Sequence, residues 1–116
     1  MNHFSYRHQE LHIENVPAST IAAQFGTPCF AYSQTALEEA FHQYDQAFAG
    51  QDHLVCYAMK ANANLSILKL FAGLGAGFDI VSGGELQRVL AIGADPGKVV
   101  FSGVGKTEDE MAAALK

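Results

Sequence analysis

Strand-like and helix-like segments alternate through the second half of this 116-residue chain at a nearly constant interval. An apolar stretch runs from His53 to Met59, and a helical pattern from Leu65 to Leu74 follows a small polar loop. Phe78-Asp79-Ile80-Val81 reads as the next strand, leading to a helix from about Gly84 to Ile92. Val99-Val100-Phe101 reads as a third strand. The strand starts at 53, 78 and 99 lie 25 and 21 residues apart. Strands separated by helices at that interval imply βα units and a parallel sheet. Apolar runs with little alternation fit strands covered on both faces. The glycines of 73–77 and 93–97 fall at helix ends, where they make tight turns.

The first half differs. Phe4-Ser5-Tyr6-Arg7 and Leu11-His12-Ile13-Glu14 alternate apolar with polar around a short polar turn, which predicts a β-hairpin. Pro17 opens a short helix from Ala18 to Phe25, and Gly26 stops it. Pro28-Cys29-Phe30-Ala31-Tyr32 reads as an apolar strand. Ser33 then caps a longer helix in which Leu37, Phe41, Tyr44 and Phe48 recur at helical spacing. Counting the unit begun at Pro28, four βα units are expected, whereas a closed (β/α)8 barrel needs eight. The last helix starts with a Thr107 cap and an acidic first turn but stops at Lys116 without a termination signal. The reading is a repeating architecture cut short.

Composition narrows the classes. At 49% hydrophobic and 16% charged, the chain has the makeup of a globular protein with room for one modest core. A formal charge of -5 argues against a nucleic-acid surface. The amino terminus lacks the basic start and apolar run of a signal peptide. No apolar run approaches the roughly 18 to 20 residues that cross a bilayer. Cys29 and Cys56 stand far apart with no CxxC pattern, so reduced thiols, a cytoplasmic location and no metal site are expected. The five histidines are scattered without ligand spacing.

Chemistry in parallel α/β architectures gathers at the carboxyl ends of strands. Lys60 closes a strand so apolar that its charge is costly there, and desolvation would favour a neutral, nucleophilic amine. The plain alternative is a lysine snorkelling into solvent. Asp79 lies inside an apolar strand, where an unpaired carboxylate is expensive, so it either pairs with Lys60 or serves a cofactor. Glu85 falls in the first turn of the next helix, where an ordinary helix-start role suffices. Ser102-Gly103-Val104-Gly105-Lys106-Thr107 looks like half of a nucleotide loop, but Val100 occupies the position where a Walker motif needs glycine.

Tyr57-Ala58-Met59-Lys60-Ala61-Asn62-Ala63-Asn64 resembles the pyridoxal-phosphate lysine motif of the fold-type III decarboxylases, the diaminopimelate, ornithine and arginine decarboxylase relatives. Segments 75–86 and 100–107, with Phe25-Gly26-Thr27-Pro28 and the opening hairpin, are similar to the diaminopimelate decarboxylase family in particular. The resemblance covers essentially the whole chain. It implies a partial (β/α)8 TIM barrel of the alanine racemase-like type over residues 16–116. Residues 1–15 would form an amino-terminal hairpin belonging to a separate β domain.

The same resemblance implies pyridoxal 5'-phosphate as cofactor, with Lys60 as its Schiff-base lysine and Asp79 and Glu85 as acidic positions near it. It implies decarboxylation of meso-diaminopimelate to L-lysine by a homodimer, with a small amino acid as substrate and neither nucleic acid nor membrane as partner. The family's later cofactor-stacking histidine, phosphate loop and pyridine-facing carboxylate have no counterpart in these residues, so the isolated chain is expected to be inactive. An ornithine, arginine or carboxylated-polyamine decarboxylase, and a non-catalytic pyridoxal-phosphate barrel, are the alternative readings.

Overall fold

The computed structural model describes residues 2–116, which divide into two compact units, one up to Ala40 and one over Phe41–Lys116. In the first, strands β1 (Phe4–Arg7), β2 (Glu10–Ile13) and β3 (Val16–Pro17) form an antiparallel sheet in the order β1-β2-β3. Phe4 faces Ile13 and Arg7 faces Glu10, so His8 and Gln9 alone make the turn. Both have positive φ, 52° and 67°, as a two-residue hairpin matching the strand twist requires. The expected hairpin is present and gains a short third strand. Helix α1 (Ala18–Phe25) follows, and Gly26, at φ 80°, closes it by donating its N–H to the Ala22 carbonyl.

Helix α2 (Gln34–Ala47) begins where Ser33 places its hydroxyl on the Ala36 N–H at 3.0 Å. The segment 28–32, expected as a strand, is not one. Among the described residues no strand pairs with it, and Phe30 is 89% exposed. Apolar composition was its only strand signal, and composition cannot supply a partner for the backbone. Three βα units are therefore seen, not four.

The second unit holds a parallel sheet in the order β4-β5-β6, formed by β4 (Cys56–Ala58), β5 (Gly77–Ile80) and β6 (Val99–Phe101). Helix α3 (Leu65–Gly73) joins β4 to β5, α4 (Gly83–Ala91) joins β5 to β6, and α5 (Glu108–Ala114) follows β6. Strand β4 is shorter than the apolar run from His53 predicts: residues 53–55 lie outside it, and Met59–Ala61 turn into a single 3-10 turn. Gly75 and Gly93 take positive φ in the αβ turns, as their positions predict.

Register sorts the side chains by face. Cys56 pairs with Gly77, Ala58 with Asp79, and Asp79 with Val100. Alternation then puts Tyr57, Phe78, Ile80, Val99 and Phe101 on the opposite face. That second face carries the core: Phe78 and Ile80 are fully buried, as are Leu68 of α3 and Val89 of α4. Tyr57 stacks on Phe71 with ring centroids 4.4 Å apart. The face of Ala58, Asp79 and Val100 is open by comparison, with Val100 51% exposed. Cover on both faces, expected from the apolar runs, is thus met on one face only.

Gly77 is required where the strands approach most closely. A Cβ there would lie 2.5 Å from the Lys98 carbonyl oxygen and 2.8 Å from Cys56 Sγ.

Candidate active site at the strand ends

The carboxyl ends of β4, β5 and β6 lie side by side because the three strands are parallel and adjacent in order. Lys60 occupies the 3-10 turn that begins as β4 ends. Met59 before it is buried at 1%, and Lys60 itself is exposed. The apolar run suggested a desolvated amine, but the early end of β4 turns Lys60 out of the covered layer. No carboxylate among the described residues lies within ion-pair distance of it: the recorded pairs are His3–Glu39 and His53–Asp45. A Lys60–Asp79 pair, one of the two roles considered for Asp79, is therefore not formed.

The loop after Lys60 is tied down at several points. The Tyr57 hydroxyl donates to the Asn62 carbonyl at 2.8 Å, and Arg88 of α4 donates to the Ala63 carbonyl at 3.0 Å. Asn62 Oδ1 accepts the Asn64 N–H at 3.0 Å, and Asn64 Oδ1 caps α3 through the Ser66 N–H at 2.9 Å. Lysine reach is thereby referred to a fixed backbone, a condition for precise chemistry.

Asp79 projects from the third position of β5 onto the open face and is half-buried. Its Oδ1 accepts a hydrogen bond from the Ser102 hydroxyl at 2.5 Å. Its charge is also felt on β4: burial pushes the Cys56 thiol above its ordinary value, and the Asp79 carboxylate adds to that effect. Burial of a carboxylate inside an apolar strand, which made Asp79 conspicuous in the sequence, is relieved by its face and by Ser102.

Glu85 stands in the first turn of α4. Its Oε1 accepts the Val81 N–H at 2.9 Å while its own N–H donates to Ser82 Oγ at 3.2 Å. This is a reciprocal clasp of the capping-box kind displaced by one residue, and it shapes the Val81–Ser82 turn. The ordinary helix-start role foreseen for Glu85 is realised.

At the third strand end, Lys106 folds back. Its Nζ donates to the carbonyls of Phe101 and Gly103 at 3.2 Å each and lies 5.6 Å from the Phe101 ring centre. Engaged in this way, it closes its own loop. Glu110 joins two helix starts: one carboxylate oxygen accepts the Gly83 N–H at 3.0 Å and the other the Thr107 N–H at 2.8 Å. These two N–H groups, Gly83's first, hold the Glu110 carboxyl below the usual carboxylate range.

Ser102, Arg88 and Glu110 were not singled out in the sequence. Thr107-x-x-Glu110 spells a capping box and was readable. The contacts of Ser102 and Arg88 span 23 and 25 residues and depend on strand register and helix placement, which no local pattern carries. No group of three or more metal-ligating side chains occurs among the described residues, and no helix is long and apolar enough to cross a membrane.

Comparison with known proteins places these features in a family context. Residues 34–116 match the family described as pyridoxal-dependent decarboxylase, pyridoxal binding domain. The whole chain is 59% identical over 116 residues to a Pseudomonas aeruginosa diaminopimelate decarboxylase, covering 28% of that protein. A solved structure from Aquifex aeolicus superposes with a TM-score of 0.92 at 47% identity, over 97% of this chain and 28% of that one. A diaminopimelate decarboxylase from M. jannaschii, solved with L-lysine, superposes with a TM-score of 0.91 at 34% identity, over 98% of this chain and 28% of that one. The chain spans about 28% of the length of the curated relatives it matches.

Proposed function

This chain belongs to the pyridoxal-dependent decarboxylases, matching their pyridoxal-binding domain over residues 34–116, and from that premise we propose that it supplies the lysine-bearing part of a meso-diaminopimelate decarboxylase. The reaction yields L-lysine and carbon dioxide. The observation that carries the reading is Lys60, an exposed primary amine without a carboxylate partner at the end of a parallel strand. The whole chain around it is 59% identical to a diaminopimelate decarboxylase.

The residues present fit the aldehyde end of pyridoxal 5'-phosphate. Lys60 offers the nitrogen for covalent attachment, and no carboxylate among the described residues competes for it as an ion-pair partner. Asp79 offers a fixed negative charge on the neighbouring strand, and Glu85 holds the turn beside it. When bound, the cofactor supplies an electron sink for the pair left behind as a carboxylate departs. The chain's own tasks are positional. The pinned loop 62–64 limits where the Lys60 amine travels, and Asp79 presents a carboxylate from the neighbouring strand.

In the complete enzyme the three βα units become part of a (β/α)8 barrel, and residues 1–15 contribute to a separate β domain. The enzyme works as a cytoplasmic homodimer. The 116 residues alone are inactive, because they contain no group resembling the family's phosphate loop. The test is to supply the gene's full-length product with pyridoxal phosphate and offer meso-diaminopimelate, ornithine and arginine separately. Carbon dioxide release and L-lysine formation are expected with meso-diaminopimelate. Preference for ornithine or arginine would overturn the substrate assignment, and carbon dioxide release by the isolated 116 residues would overturn the claim that they are inactive.

A further inference from the structure

We infer that Ser102 is a positioning residue, orienting the Asp79 carboxylate towards the site at which Lys60 carries its cofactor. The inference rests on the function proposed above and adds a residue and a task to it.

The geometry begins with the backbone. Ser102 follows the last residue of β6, yet its N–H donates to the Ile80 carbonyl at 2.8 Å, extending the β5–β6 ladder one step beyond the strand. Its Cα is therefore fixed by the sheet rather than free in the loop. Alternation from Val100, the register partner of Asp79, places the Ser102 side chain on Asp79's face. The hydroxyl donates to Asp79 Oδ1 at 2.5 Å. Among the described residues, no group hydrogen-bonds Oδ2 and no cation pairs with the carboxylate.

Chemistry explains why a hydroxyl suits this place. An arginine or lysine in the same position would orient Asp79 but cancel its charge. A neutral donor restrains the carboxylate without pairing it with a cation. One oxygen is occupied and the other remains open to an N–H donor. The ligand class this arrangement takes is an N–H donor that reaches the open Asp79 oxygen. Gly103, next in the chain, brings the backbone close to β5: a Cβ there would meet the Val81 Cβ at 3.3 Å. That close approach keeps the Ser102 turn pressed against the end of β5.

The experiment uses the full-length protein with three variants, Ser102→Ala, Ser102→Thr and Asp79→Asn. Three readouts are taken: retention of pyridoxal phosphate on dialysis, the pH midpoint of the bound cofactor's absorbance, and the thermal midpoint of the apo-protein. Ser102→Ala is expected to weaken cofactor retention by about tenfold, the loss of one hydrogen bond to a charged group. It should also move the absorbance midpoint in the same direction as Asp79→Asn. Ser102→Thr, which keeps the hydroxyl, should restore both.

Parent-like values for a folded Ser102→Ala protein would overturn the inference, as would a folded Ser102→Thr protein with the alanine defects. If Ser102→Ala does not fold, Ser102→Thr decides: parent-like values support the inference, and shifted values overturn it. Borohydride trapping on the parent protein separates the two levels. A label on Lys60 with an indifferent Ser102 sinks this inference alone, and no label on Lys60 sinks the proposed function with it.

Discussion

Among the described residues of the first unit, up to Ala40, Ile13 is the one large apolar side chain that is buried, while Phe25 and Phe30 stay 72% and 89% exposed. The second unit, residues 41–116, packs Phe78, Ile80, Leu68, Met59 and Val89 to near-complete burial. In place of a core, the first unit relies on polar bridges. Glu14 accepts the Ser33 hydroxyl at 2.6 Å and the Thr35 N–H at 3.0 Å, His3 meets Glu39 at 2.7 Å, Ser19 donates to Glu10, and Arg7 holds Asn15. A groove of about 510 Å³ lined by Ile13, Phe25, Phe30 and Tyr32 remains open there. Burying a phenylalanine contributes more than an exposed polar bridge. The site proposed at Lys60, Asp79 and Ser102 lies on the unit with the better-packed core.

The sharpest way to break this contrast is Phe78→Ala. Removing a fully buried ring should cost the second unit about 3–5 kcal/mol. Hydrogen exchange should then lose protection across β4, β5 and β6 while the β1–β2 ladder keeps its own. Equal loss in both units would contradict the division. Gly77→Ala comes next: with a Cβ forced to within 2.5 Å of the Lys98 carbonyl, the strands must part. The expected cost is about 2 kcal/mol by chemical denaturation.

In the first unit, Ser33→Ala removes both the α2 cap and the donor to Glu14, and about 1 kcal/mol is expected. Ser33→Thr should recover most of it. A loss as large as that of Phe78→Ala would erase the distinction between the units.

The smallest effects are those of pH. The Ser33 hydroxyl, then the Thr35 N–H, hold the Glu14 carboxyl below the usual carboxylate range. A depressed folded-state value means that the bridge contributes fully above the ordinary value of 4.5 and is lost as pH falls through the lowered one. Exchange of the Thr35 amide should therefore show an added acceleration in strong acid, absent in Glu14→Gln. His53 has the opposite sign. The Gln51 carbonyl, then Asp45, raise its value above 6.5, so its contribution is complete below 6.5 and fades as pH rises through the raised value. Loss of the His53–Asp45 contact on acidification would contradict that sign.

Legibility in the sequence cuts across this division. Helix α1, its Gly26 stop, β5 and β6 lie within a residue of where pattern alone puts them, because each carries its own local signal. The strand at 28–32 failed because an apolar run states only that cover is wanted, not that it exists. Strand β4 proved short for a related reason: the run from His53 to Met59 does not encode where the backbone leaves the sheet. Lys60 could be found from its place after that run, but its exposure could not. Glu85 behaved as helix-start chemistry dictates. Ser102 was invisible as a partner of Asp79, since only the β5–β6 register brings them together.

The central claim is that Lys60 carries the cofactor. The full-length protein, loaded with pyridoxal phosphate, reduced with borohydride and digested, should yield one pyridoxyl-bearing peptide, modified at Lys60. Label on Lys69, Lys98, Lys106 or Lys116 in its place, or an undiminished label in Lys60→Ala, would contradict the account.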